Sequence, residues 1–363
     1  MAKPTKIQTW QMVRPTDPKT GEKGVIERTE IDVPALGPGD VLVEIAGCGV
    51  CHTDLGYFYD GVPTVVPAPL TLGHEISGTV VDGPADWIGK EVIVPAVMPC
   101  NNCPICDAGR GNRCLGQKMP GNSVGIYGGF SSHIAVPYQD LCVVTNRKYP
   151  LSHYAVVADA GTTPYQAALR ADVKPGDNVI VIGSTGGVGI YMTQTVKALG
   201  AGCVIAMGRN EEKLAKNLEY GADATVNLKD KDAKAVKAEM KAICKEKGVP
   251  SAFGWKIFEC TGSKPGQDLA LALLSFTGKL VVVGYGMAKS EYMFSKLMAF
   301  DAEIIGTWGC LPKYYPEVLK LVETGKIQIE PFLETRPMST IAEVFEQQHA
   351  GQTERRIVLE PDF

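Results

Sequence analysis

No stretch of the 363-residue chain approaches the roughly 18 consecutive apolar residues that a membrane-spanning helix requires. The opening segment MAKPTKIQTWQMVRP carries two early lysines but no apolar run behind them, so it does not read as a secretory signal, and a cytoplasmic protein is expected. Excess positive charge is also missing. With 36 basic against 40 acidic residues and a net charge of -4, nothing draws the protein toward nucleic acid or an anionic membrane, and neither is expected as a partner. The sparse hydrophobicity of disordered chains is absent too, since apolar residues make up 45% and charged residues 21%. Internal repeats and low-complexity tracts are not found. What remains is an ordinary globular chain whose length suits two domains, each able to close its own core.

Eleven cysteines stand out in a long chain without a signal, where metal binding is a better expectation than disulfides. Four of them, Cys100, Cys103, Cys106 and Cys114, lie in PCNNCPICDAGRGNRC with spacing C-x2-C-x2-C-x7-C. Such a looping segment can place four thiolates on one tetrahedral zinc, and a site with four sulfur ligands has no open position for chemistry. Four unrelated thiols and an iron-sulfur cluster are the competing readings.

The texture of the chain changes near residue 175. Before about 150 it is rich in glycine and proline, with short β-type runs at 41–46, 78–82 and 91–96. Afterwards apolar strands at 178–182, 203–207, 256–259 and 279–283 alternate with helical stretches at 187–199, 211–220 and 231–247. Alternating β and α with continuously apolar strands predicts a parallel sheet covered on both faces. Near 305 the alternation is expected to stop, with an amphipathic helix at 314–324.

NVIVIGSTGGVGIYMTQTVKALG sets a strand, a turn with Gly183, Gly186, Gly187 and Gly189, and a helix in direct succession. Glycines admit a pyrophosphate close to the backbone, and the helix N-terminus offers free N–H groups to it. Ser184 stands at the first glycine position of the usual G-x-G-x-x-G. The next strand ends in Gly208 and Arg209 rather than in the acidic residue that binds the ribose hydroxyls of NAD. By itself that pair favours NADP, because Gly removes a repelling carboxylate and Arg can meet a 2′-phosphate; a solvated arginine is the competing reading.

A second set of metal-ligand types lies in GCGVCHTDLG, with Cys51, His52, Thr53 and Asp54, and in LTLGHEISG, with His74 and Glu75. One thiolate, one imidazole and a further ligand would make a catalytic metal site with an open position, although spacing alone does not distinguish this from core residues.

With the four-cysteine lobe, the GHE segment and the GGVG turn in this order, the chain resembles the zinc-containing medium-chain alcohol dehydrogenases over essentially its whole length. The resemblance implies an irregular β-rich, GroES-like catalytic domain (1–160, with the zinc lobe at about 95–116), a doubly wound parallel Rossmann domain (161–304) and a return to the catalytic domain (305–363). The site would lie in the cleft between them, in a homodimer or homotetramer joined through the cofactor domains. The resemblance also implies Cys51 and His74 as ligands of a catalytic zinc, with Glu75 as an alternating ligand and Asp159 of VVADAGTTPYQAA at the third ligand position. Thr53 falls on the proton-relay hydroxyl, Asp54 on the carboxylate behind the metal-bound histidine, and His52 on a basic position that meets the pyrophosphate. Gly56 replaces the distal relay histidine, and Arg356 is assigned to the pyrophosphate, with a surface arginine as the alternative.

Two zincs and NAD, with NADP as the alternative, are the cofactors expected. GVCHTDLGYFYDGVPTVVPAPLTLGHEISG, QKMPGNSVGIYGGFSSH, WKIFECTGSKPGQ and KLMAFDAEIIGTWGCLPKYYPEVL are further similar to a branch of that family acting in anaerobic benzoyl-CoA breakdown. Those enzymes oxidise a ring hydroxyl beside the double bond of a cyclic CoA thioester to a ketone with NAD. Gly208 and Arg209 depart from that branch's cofactor use. A general or aryl-alcohol dehydrogenase and a non-catalytic, zinc-stabilised dinucleotide sensor are the alternative functions.

Overall fold

The structure is a computed structural model that describes residues 4–363. Two compact units divide the chain, one of Met1–Thr162, Gly309–Glu323 and Ile329–Phe363, the other of Thr163–Trp308 and Thr324–Gln328.

In the first unit the glycine- and proline-rich sequence makes strands that pair antiparallel, except for the parallel pair of Leu333–Pro337 and Arg356–Glu360. Its larger sheet runs Leu333–Pro337, Arg356–Glu360, Asp40–Gly49, Glu75–Asp82, Glu91–Val94 and Cys142–Val143, with His133–Pro137 also pairing to Asp40–Gly49. The expected runs at 41–46, 78–82 and 91–96 fall on three of these strands, the first two being longer than their apolar cores. Downstream chain completes this sheet, because Val358 and Leu359 pair with Gly49 and Cys48. A smaller sheet orders Val25–Asp32, Lys6–Arg14 and Leu70–Thr71. Val43, Leu55, Leu72, Ile76, Phe130, Phe345 and Ile357 share the core beneath, so sheet and tail bury one another.

The second unit is a six-stranded parallel sheet in the order Ala224–Asn227, Cys203–Gly208, Asn178–Ile182, Lys256–Glu259, Lys279–Val282 and Glu303–Gly306. This is the doubly wound order, with its reversal between Asn178–Ile182 and Lys256–Glu259. Val179 through Ile182 are fully buried, as a strand covered on both faces requires. The helix Ala233–Lys247 shows how its sequence sets its limits. Asp232 accepts a hydrogen bond from Ala235 N at 2.7 Å at one end, and Gly248 turns left-handed at the other. Val236, Met240 and Cys244 recur every fourth residue and face the core. Glu303–Gly306 crosses position 304, where alternation was expected to end; an exposed edge strand with only two adjacent isoleucines has no clear apolar pattern. Among the described residues no helix is long and apolar enough to cross a membrane.

Candidate metal centres and nucleotide turn

The thiols of Cys100, Cys103, Cys106 and Cys114 converge. Their sulfurs lie 3.9 Å (100 to 106), 3.6 Å (103 to 106), 3.7 Å (103 to 114) and 3.2 Å (100 to 114) apart. A zinc tetrahedron with Zn–S bonds of about 2.3 Å has edges of about 3.8 Å, so the cluster fits this ion with little movement.

The second group starts at the helix His52–Tyr59. Cys51 is its N-cap, and the capping box closes because Asp54 Oδ2 accepts from Cys51 N at 3.0 Å. Asp54 Oδ1 accepts from Gly73 N at 3.0 Å and lies 3.4 Å from His74 Nδ1. One fully buried carboxylate thus ties together two loops that are distant in sequence and turns His74 Nε2 toward Asp159 Oδ2, 3.6 Å away. Cys51 Sγ stands 3.7 Å from the same oxygen and 3.6 Å from Thr53 Oγ1. Ligand atoms of Cys51, His74, Glu75 and Asp159 all fall within 4.8 Å of one another. A thiolate, an imidazole and carboxylates are donors suited to zinc, and the convergence of otherwise costly buried polar groups is what a metal would stabilise. Burial alone would depress the His74 imidazolium, but Asp54 and Asp159 hold its pKa well above the ordinary 6.5. Metal uptake there competes with a proton.

Arg356 is placed differently from its expected position at a pyrophosphate. Its Nε donates to Glu75 Oε2 at 2.7 Å and its Nη2 donates to Glu75 Oε1, and only 7% of the residue is exposed. Burial also rules out the surface-arginine reading. Glu75 shares both carboxylate oxygens with this guanidinium while belonging to the ligand group. Burial pushes its carboxyl up to about 7, with Arg356 pulling the other way. His52 opens the helix on its exposed side, and Gly56 lies buried in it without a side chain to relay a proton.

In the second unit, the turn after Asn178–Ile182 holds Gly183, Ser184, Gly186, Gly187 and Gly189 at the start of the helix Gly189–Ala198. Gly189 must lack a side chain, since a Cβ there would stand 2.0 Å from Gly183 O. Ser184 is tolerated at the first glycine position because its hydroxyl turns inward and donates to Met207 O at 3.2 Å, leaving the residue fully buried. Gly208 closes the neighbouring strand. A Cβ at this position would lie 2.6 Å from Thr185 Cγ2, so Thr185 fills the place of a side chain at the strand end. Arg209 beside it is exposed. Spacing along the chain gave no sign of the Thr185 contact or of the Arg356 partner, because both depend on how separate strands pair.

Residues 37–146 match the model for the alcohol dehydrogenase GroES-like domain, and residues 187–324 match the model for zinc-binding dehydrogenases. An NAD-dependent alcohol dehydrogenase from Sulfolobus acidocaldarius is 31% identical over 312 residues, covering 82% of this chain and 86% of the relative. An alcohol dehydrogenase from Geobacillus stearothermophilus is 30% identical over 344 residues, covering 93% and 96%. Among solved structures, acetophenone reductase from Geotrichum candidum in complex with NAD superimposes with a TM-score of 0.82 at 25% identity, covering 99% of this chain and 98% of that one. Fold, ligand clusters and relatives together define a zinc- and NAD(P)-dependent oxidoreductase of alcohol dehydrogenase type. The chain belongs to the zinc-binding medium-chain alcohol dehydrogenase family. Membership in a family of enzymes, with the ligand set assembled, sets aside the non-catalytic sensor.

Proposed function

We propose that the protein transfers hydride between a nicotinamide dinucleotide and a cyclic secondary alcohol or ketone at the Cys51, His74 and Asp159 centre. The observation that carries this reading is the meeting of those ligand atoms beside a threonine hydroxyl. Bound there, zinc would supply Lewis acidity toward the substrate oxygen. Cys51, His74 and Asp159 would hold it, and Glu75 is close enough to exchange as a ligand once freed from Arg356. Thr53 Oγ1 would take up the alcohol proton while passing its own to water, since Gly56 beyond it has no side chain to carry the proton on. Asp54, 3.4 Å from Nδ1, would favour the tautomer that leaves Nε2 of His74 free for the metal. Cys100, Cys103, Cys106 and Cys114 would hold a second, structural zinc.

In the nucleotide unit, Gly183, Gly186, Gly187 and Gly189 would take the pyrophosphate, with Gly208 and Arg209 at the adenosine ribose; His52 is kept as a further basic residue for the dinucleotide. NAD is the reading kept for the cofactor, with NADP the alternative favoured by the missing strand-end carboxylate.

For the substrate, we propose 6-hydroxycyclohex-1-ene-1-carbonyl-CoA, oxidised to the 6-oxo thioester, which would make the protein a 6-hydroxycyclohex-1-ene-1-carbonyl-CoA dehydrogenase of anaerobic benzoyl-CoA degradation. The support is the residue-level likeness of segments such as QKMPGNSVGIYGGFSSH and KLMAFDAEIIGTWGCLPKYYPEVL. A general or aryl-alcohol dehydrogenase is the second reading, favoured by the alcohol dehydrogenases of Sulfolobus and Geobacillus among its relatives. Turnover of the thioester against benzyl alcohol, each with NAD and with NADP, separates them. Absence of thioester oxidation by the zinc-loaded enzyme would sink the first.

A homodimer or homotetramer joined through the nucleotide unit fits the exposed edge strand Glu303–Gly306 and the exposed Phe294, Met298 and Ile304. A cytoplasmic setting fits eleven cysteines free of disulfides.

A further inference from the structure

Asp159 follows the 3-10 helix Leu151–Ala158 and has no regular element of its own to hold it. Thr162 Oγ1 reaches its carbonyl at 3.5 Å, and a further hold on this backbone comes from far downstream. Tyr315, at the start of the helix Tyr315–Glu323, is fully buried. Its hydroxyl donates to Ala158 O, the carbonyl directly before Asp159, and accepts from Ala96 N at 3.0 Å. A buried phenol that satisfies one donor and one acceptor in this way costs nothing in unpaired polar groups and fixes both backbones against it. Thr162 Oγ1 adds a second bond to Ala158 O at 3.1 Å.

We infer that Tyr315 is a positioning residue for the catalytic metal, holding the Asp159 carboxylate at the distance from Cys51 and His74 that a zinc ion requires. The inference rests on the proposed role of Asp159 as a ligand. A carboxylate binds through a harder, smaller atom than a thiolate, so an error in its placement translates directly into a lost bond. Groups that orient a ligand typically contribute about 10–100-fold in metal affinity.

The test uses the zinc-loaded full chain and follows chelator-driven release, together with the visible spectrum after cobalt exchange at the catalytic centre. In Tyr315→Phe, the catalytic metal should leave about tenfold faster or more, with the four-cysteine zinc retained and the cobalt spectrum shifted. Val318→Ala removes buried volume from the same helix while keeping the Tyr315 hydroxyl that bonds Ala158 O, and should leave release unchanged. Equal effects in both variants, or equal loss of both metals, would reduce Tyr315 to a packing residue and overturn the inference. Should Tyr315→Phe not fold, 3-fluorotyrosine at 315 keeps the ring and alters only the strength of its hydrogen bonds; an unchanged cobalt spectrum then overturns the inference. Asp159→Ala decides the reading beneath it. If that variant loses the metal while Tyr315→Phe keeps it, positioning fails and the ligand role stands; if it keeps the metal, both fail.

Discussion

Arg356 grips Glu75 through two roughly parallel contacts inside the metal-bearing unit, Nε to Oε2 at 2.7 Å and Nη2 to Oε1, with Glu75 fully buried. A pair so enclosed stabilises little in net terms, but either charge left alone is expensive. Replacing Arg356 by Met should destabilise the protein by about 3–5 kcal/mol, whereas Glu75→Met with Arg356→Met should recover most of the loss. Urea denaturation of the single and double variants measures this, and equal losses in both would contradict it.

Asp54 accepts from Cys51 N and Gly73 N and stands behind His74. Asp54→Ala should weaken catalytic metal binding by about 10–100-fold while the cysteine zinc stays in place. Metal content after graded chelation is the measurement, and uniform loss from both sites would count against this role.

Cys103→Ser breaks a four-sulfur set and should take zinc from about two per chain to about one, with a fall in melting temperature. Metal analysis beside thermal unfolding checks it, and an unaltered zinc count would refute the structural assignment.

Gly208→Asp brings a Cβ to 2.6 Å from Thr185 Cγ2, so the single variant should bind both dinucleotides more weakly. Thr185→Gly with Gly208→Asp should regain NADH binding and discriminate against NADPH, since the new carboxylate favours ribose hydroxyls over a phosphate. Fluorescence titration with both reduced cofactors distinguishes the outcomes; no gain in the double variant would mean that Thr185 does not govern this subsite.

Burial holds His133 and His153 below the ordinary 6.5, so the folded chain keeps them neutral where the unfolded chain takes up protons. The stability this represents is complete above about pH 6.5 and is lost as pH falls toward the folded values. Between pH 7.5 and 5.5 the drop in urea midpoint due to these two groups should appear as a larger loss in the wild type than in His133→Asn with His153→Asn, while the raised pKa values of His74 and Glu75 shift both chains alike in the opposite direction. An identical drop in the double variant would place the acid sensitivity elsewhere.

Much of the fold was legible because local patterns carry it. Val179 to Ile182 form a continuous apolar run and lie in a strand, and the glycine turn announces its helix. The cysteine spacing likewise brought its four sulfurs together. Glu303–Gly306 was hidden by its exposed edge, where no alternation marks an inward face. Residues whose contacts depend on long-range pairing were the least visible. Arg356 meets Glu75 across 281 positions, and Tyr315 meets Ala158 across 157. Residue identity suggested a phosphate contact for the arginine and said nothing of the tyrosine.

The strand Arg356–Glu360 lies between Leu333–Pro337 and Asp40–Gly49. A ribosome making this chain therefore releases every residue of the nucleotide sheet before the metal-bearing sheet can close. Until Arg356 emerges, Glu75 lacks the guanidinium that takes both its oxygens, and its surroundings cannot dry out. Nascent chains stalled before that point should carry a finished nucleotide sheet and an unsealed metal-bearing one, open to proteases and to metal exchange.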